Sequence, residues 1–126
     1  QARKHKCEVM LMHTVSTYPS DEKHLNLKCI NTLKNKYNLP IGYSGHEVTV
    51  SPSIVAASLG ASAVERHITL DRAMYGSDQS ASLQESGLKQ MCATIRKIPI
   101  VLGSPIKKVL DEELPVANKL RYWTET

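Results

Sequence analysis

Phenylalanine is absent from this chain, and only one tryptophan and five tyrosines stand in for it. Without aromatics interleaved among basic residues, the stacking platforms of single-stranded RNA readers are missing. Charge of one sign is also scarce. Sixteen basic and twelve acidic residues leave a net charge of +4, scattered along the chain. No nucleic-acid partner is therefore expected. No apolar run approaches the roughly 18–20 residues that span a bilayer, so no membrane partner is expected. The three cysteines, Cys7, Cys29 and Cys92, are far apart and form no CxxC pair. That argues against a disulfide framework and for a reducing compartment, the cytoplasm. The opening residues Arg3, Lys4, His5 and Lys6 carry no apolar segment behind them, as a signal peptide would. A chain of 126 residues that begins at Gln1 rather than Met is expected to be a processed, excised or incomplete piece.

What is present is ordinary globular composition, with 41% hydrophobic and 22% charged residues. Cys7 to His13 is a short apolar run, which suits a parallel strand covered on both faces. Ser20 or Asp21 then caps a helix expected over 22–37, with Leu25, Cys29 and Leu33 on its apolar stripe. A second strand is expected over 40–44, and a helix opens at Ser51-Pro52 and closes at Gly60. A third strand, 61–66, leads through the long loop 67–82 to a helix over 83–102. In that helix Leu88, Met91, Cys92, Ile95 and Ile98 form the buried stripe, and Pro99 bends it or ends it early. The tail 106–126 is charged, with a short helix near 111–120, and it ends in Arg121-Tyr122-Trp123 and three further residues. Three strand–loop–helix units make an α/β fold. A small open doubly wound sheet and a piece of a (β/α)₈ barrel both fit that pattern.

In either architecture function gathers at the carboxyl ends of the strands. The residues there are polar: His13, Ser16 and Tyr18 after the first strand, Ser44, His46 and Glu47 after the second, and Glu65, Arg66 and His67 at the third, with Asp78 beyond. His46 and His67 leave consecutive strands at equivalent positions. If those strands are neighbours, about 4.8 Å apart, the imidazoles converge on one divalent ion, or else each is a hydrogen-bonded histidine without metal. Alternation puts Glu65 and His67 on one face and Arg66 on the other. Glu65 then either faces a pocket or forms a structural ion network with Arg66. Asp78 is either an orienting carboxylate or a turn residue. Ser16 and Ser44 are phosphate or carboxylate contacts, or turn and cap residues. Tyr18-Pro19 is a pocket wall or a rigid turn. His13 reads as a core histidine at the strand end, and Cys29 and Cys92 as packing residues.

The segments His13-Thr-Val-Ser16-Thr-Tyr18-Pro19, Gly42-Tyr-Ser44-Gly-His46-Glu, Glu65-Arg66-His67-Ile-Thr69 and Gly76-Ser-Asp78 occur in this order. Together they resemble the sialic acid synthase family, over residues 9–103. The resemblance implies a TIM-barrel synthase domain in which residues 1–105 supply the last three βα units, six to eight. Residues 106–126 would lead toward an absent antifreeze-like domain. It implies condensation of phosphoenolpyruvate with N-acetylmannosamine or a related N-acyl sugar. C3 of phosphoenolpyruvate attacks the aldehyde carbon, water adds at C2, and phosphate leaves with C–O cleavage. His46 and His67 resemble the ligands of a catalytic Mn²⁺ or Mg²⁺. Asp78 resembles the residue that positions a metal-bound water, Ser44 a phosphoenolpyruvate contact, and Tyr18 and Glu65 sugar-side residues. Ser16 stands where some members carry Asn and is expected to touch phosphoenolpyruvate, and Gly45 stands where several carry Asp. The phosphate-binding lysines and a catalytic glutamate of the family belong to units this chain lacks. The chain alone is thus expected to be inactive, and to pair with itself or with the missing barrel half. The alternative is a truncated, non-catalytic half-barrel that binds a metal or a sugar phosphate.

Overall fold

The computed structural model describes residues 2–121, so Tyr122 and Trp123 of the tail lie outside the described residues. Three parallel strands form one sheet in the order β1 (Leu11–Thr14), β2 (Ile41–Gly45), β3 (Val64–Arg66). Helices α1 (Cys29–Tyr37), α2 (Ser51–Ser58) and α3 (Glu85–Leu102) follow them in turn. A 3₁₀ turn, Asp111–Glu113, and α4 (Leu114–Leu120) occupy the tail, near the helix expected there. The register aligns Thr14 with Ser44 and Ser44 with Glu65, so these three share one face of the sheet. Ile41 and Tyr43 point to the other face, where they pack with Ile30 of α1 and Ala56 of α2. Each of these four is buried to 1% exposure or less. Burying an isoleucine to that degree contributes about 1.5–3 kcal/mol, which fixes the helices to that face.

The first strand is shorter than the apolar run 7–13 and is not covered on both faces. It alternates instead: Leu11 packs against the core while Met12 is exposed. The helix expected over 22–37 is broken in its first half. Asp21 caps only a single 3₁₀ turn, Glu22–His24, by accepting a hydrogen bond from the Lys23 amide. The Lys23 hydrogen bonds also hold the exposed Asp21 carboxyl below its ordinary pKa. Asn26 then takes φ +46°, which no right-handed helix accommodates. The cause is tertiary. The Leu25 carbonyl accepts a 2.7 Å hydrogen bond from His13 Nε2, and Leu25 is buried outside any helix. The helix that resumes at Cys29 presents Ile30 and Leu33 inward, spaced i and i+3, and leaves Cys29 exposed. Cys29 is therefore not a packing residue here. Cys92 is half-buried on α3, beside the buried Met91.

The second unit follows its sequence closely. Pro52 lies in the first turn of α2, and Gly60 adopts φ +91° after it. The Gly60 amide bonds the Ala57 carbonyl and the Ala61 amide the Ala56 carbonyl, the paired bonds of a Schellman ending. The third helix starts two residues later than expected because the Leu83 backbone is committed elsewhere. Its amide donates to the His67 carbonyl (2.8 Å) and its carbonyl accepts from the Thr69 amide (2.9 Å). Pro99 is carried within α3, which runs on to Leu102. Among the described residues no helix is long and apolar enough to cross a membrane.

Candidate functional site

The loop after β1 folds back over the end of β2 and is stitched to His46 from both sides. The Ser20 amide donates to the His46 carbonyl (2.9 Å), and the Val15 carbonyl accepts from His46 Nδ1 (2.9 Å). Ser20 Oγ holds the loop closed, lying 3.0 Å from the Val15 carbonyl and 2.8 Å from the Thr17 carbonyl. A carbonyl only accepts, so Nδ1 of His46 carries a proton, and in the neutral ring the lone pair lies on Nε2. His67 extends from the end of β3. Its Nδ1 lies 3.5 Å from Asp78 Oδ2, so the carboxylate stands beside that edge of the ring. Ser77 Oγ donates to the other Asp78 oxygen at 2.9 Å.

The two imidazoles come side by side, edge to face, with ring centroids 5.2 Å apart. Tyr18 closes the cluster, its ring 4.2 Å from that of His46 and 5.6 Å from that of His67. His46 is buried, whereas His67, Tyr18 and Asp78 reach solvent. On the strands beneath, Ser44 Oγ donates to Glu65 Oε1 at 2.7 Å. His46, His67, Asp78, Tyr18, Ser44 and Glu65 thus collect around the carboxyl ends of β1–β3. Ser16 sits exposed on the same loop as Tyr18, and its side chain enters none of the hydrogen bonds found among the described residues. Among the described residues, no three His, Cys, Asp or Glu side chains are grouped so that they could hold an ion by themselves. His13 is a half-buried histidine, bonded to Leu25 and tilted against Tyr43.

Arg66 does not pair with Glu65. It turns to the helix-covered face and meets Glu47, with Nη1 2.9 Å from Oε1 and both side chains buried. Nη1 also reaches the Thr49 carbonyl (2.9 Å) and Ser53 Oγ (3.0 Å), and Nη2 donates to the Glu47 carbonyl. Tyr43 Oη donates to the other Glu47 oxygen at 2.8 Å. Burial, and then the carboxylate it serves, push the Tyr43 hydroxyl well above the ordinary tyrosine pKa. Burial pulls the Arg66 pKa down, and the Glu47 charge opposes that. Sequence spacing could not assign this pair, because Glu47 lies beyond the end of β2. Its only signal was a charged residue at each of two strand ends.

A one-faced parallel sheet whose polar side chains collect at the carboxyl ends of its strands is the architecture of an α/β protein with its site on that rim. The NeuB family model matches residues 2–107, and the chain belongs to that family. It is 40% identical over 110 residues to human N-acetylneuraminate-9-phosphate synthase, covering 86% of this chain and 31% of the relative. It is 36% identical over 113 residues to N,N'-diacetyllegionaminic acid synthase of Legionella pneumophila, covering 90% and 32%. Among solved structures, the N-acetylneuraminic acid synthetase of Leptospira borgpetersenii, in complex with citrate, superposes with a TM-score of 0.78 at 34% identity. That match covers 96% of this chain and 44% of the other. The chain spans about a third of the length of the curated relatives it matches.

Proposed function

We propose that this chain forms part of a nonulosonic acid synthase, an enzyme that condenses phosphoenolpyruvate with N-acetylmannosamine or a related N-acyl sugar. In that reaction C3 of phosphoenolpyruvate forms a C–C bond to the aldehyde carbon. Water adds at C2, and the C2–O bond to phosphate breaks. The observation that carries the reading is the pairing of His46 and His67. Nδ1 of His46 is engaged by the Val15 carbonyl and Nδ1 of His67 lies beside Asp78, while Nε2 of neither ring enters a hydrogen bond found among the described residues. Two imidazoles completed by substrate oxygens and water suit Mn²⁺, Fe²⁺ or Zn²⁺, and the resemblance to the synthase family favours Mn²⁺ or Mg²⁺ among divalent ions. The ring centroids lie 5.2 Å apart, near enough for both imidazoles to reach one ion. Bound there, the ion supplies Lewis-acid polarisation of the sugar aldehyde.

The remaining roles belong to side chains. Asp78 fixes the ring of His67. Tyr18 walls the cluster on the His46 side, its ring 4.2 Å from that imidazole. Glu65 orients sugar hydroxyls, and Ser44 and Ser16 contact phosphoenolpyruvate. Ser44 and Glu65 are each other's partner in this structure, so substrate binding exchanges that hydrogen bond for bonds to ligand. Residues 1–105 act as the last three βα units of the barrel, and 106–126 lead out of it. The outer sides of β1 and β3, the edge strands, are covered by a second copy or by the remaining barrel strands. A well-behaved monomer in ultracentrifugation would count against that association.

A non-catalytic half-barrel that binds a metal or a sugar phosphate is the second reading, since paired imidazoles can hold an ion without turning over a substrate. Titration with Mn²⁺ tests the part common to both. The protein should bind the ion, and His46→Ala and His67→Ala should each abolish binding. Undiminished binding in either variant refutes the site. Assay of the chain with both substrates and Mn²⁺ should show little synthase turnover, and full-rate turnover would eliminate the second reading.

A further inference from the structure

The ion pair Glu47–Arg66 joins the residue immediately after one histidine to the residue immediately before the other. His46 and Glu47 are consecutive, as are Arg66 and His67. We infer that this buried pair is a positioning device that sets the spacing of the two imidazoles from the opposite side of the strand ends. The inference rests on the reading of His46 and His67 as metal ligands and extends it to residues that touch no ligand.

Three observations carry it. The first is the fork of Arg66, which reaches from β3 to the Glu47 carboxylate, the Glu47 and Thr49 carbonyls and Ser53 Oγ. It thereby clamps the end of β2, the loop after it and the first turn of α2 to the end of β3. The second is the room made for the carboxylate. A Cβ on Gly45 would lie 2.7 Å from Glu47 Oε2 and 2.8 Å from Tyr43 Cε1, so this glycine is the cavity in which Glu47 sits. The third is redundancy of restraint. Glu47 is fully buried and takes hydrogen bonds from Arg66, Tyr43 and Ser53, the last at 3.3 Å. Such a carboxylate has one position available. A side chain one residue along the backbone inherits that fixity, so the pair limits how far His46 can move relative to His67. Lysine at 66 keeps the charge but not the planar fork, and so cannot hold these acceptors together.

The test uses Arg66→Lys and Glu47→Gln, with Tyr43→Phe as a milder variant that removes a single hydroxyl and keeps the fold. Met91→Ala, a core truncation on α3, serves as the control for loss of stability alone. Two quantities are read: Mn²⁺ affinity by electron paramagnetic resonance titration, and, in metal-free protein, the nuclear Overhauser effect between the ring protons of His46 and His67. Arg66→Lys and Glu47→Gln should weaken Mn²⁺ about 10-fold or more and attenuate the inter-ring effect. Tyr43→Phe should weaken Mn²⁺ about threefold, a smaller share of the same outer-shell effect. Met91→Ala should leave both quantities at the wild-type level. Wild-type values in Tyr43→Phe and Arg66→Lys would overturn the inference, as would equal losses in Met91→Ala. Failure of the metal reading looks different: wild-type protein would bind no Mn²⁺ while the inter-ring effect still depended on Arg66.

Discussion

Replacing Gly45 by alanine adds one methyl group at the most constrained point of the sheet. That methyl would sit 2.7 and 2.9 Å from the two Glu47 carboxylate oxygens and 2.8 Å from Tyr43 Cε1, about half an ångström or more inside ordinary contact. None of these atoms can retreat. Tyr43 and Glu47 are fully buried, and Glu47 is anchored by Arg66, Ser53 and Tyr43 Oη. Overpacking of this kind costs about 1–3 kcal/mol. Displacing Glu47 further weakens hydrogen bonds to a charged group, worth about 1.5–3 kcal/mol each. The chain entropy recovered by replacing a strand glycine offsets about 0.5–1 kcal/mol. A net loss of about 2–4 kcal/mol follows, which for a chain of this length lowers Tm by about 8–15 °C. Gly42→Ala is the internal control. It lies on the same strand, but its methyl would meet the thioether end of Met12, a flexible and exposed side chain that can swing aside. Its net effect should stay within about 1 kcal/mol. Thermal and urea unfolding of both variants measure the difference. Equal stability of Gly45→Ala and Gly42→Ala would refute the packing described here.

Asp78→Asn should weaken Mn²⁺ binding about 10–100-fold in a calorimetric titration while leaving Tm almost unchanged, because Asp78 is half-exposed. Unchanged affinity would remove Asp78 from the site. Ser44→Ala, which deletes the 2.7 Å bond to the exposed Glu65, should cost no more than about 1 kcal/mol in urea unfolding. A much larger loss would mean that the pair is structural. Tyr43 ionises at a higher pH folded than unfolded, so its contribution to stability is whole below about pH 10 and is lost as pH rises toward the folded-state pKa. Tm should therefore fall more steeply above pH 10 in the wild type than in Tyr43→Phe, and parallel curves would contradict the assignment.

The alternation of strand and helix, the start of α2 at Ser51-Pro52 and its end before Gly60 were all legible in the chain itself. They rest on local chemistry: the fixed φ of proline, the left-handed freedom of glycine, the spacing of apolar residues. The convergence of His46 and His67 was legible for a related reason, since equivalent positions after neighbouring parallel strands are close by construction. What the sequence could not reveal depended on contacts between distant residues. A carbonyl claimed by His13 broke the expected helix before Cys29 and rotated that cysteine to the surface. Arg66 chose between two glutamates, Glu65 next to it in sequence and Glu47 nineteen positions away. Alternation along β3 turned Arg66 toward the helices, and the space left by Gly45 admitted the more distant partner. Local chemistry sets where an element begins and which way its side chains face; only the assembled sheet decides which of them meet, because a buried charge takes the partner that geometry brings within reach.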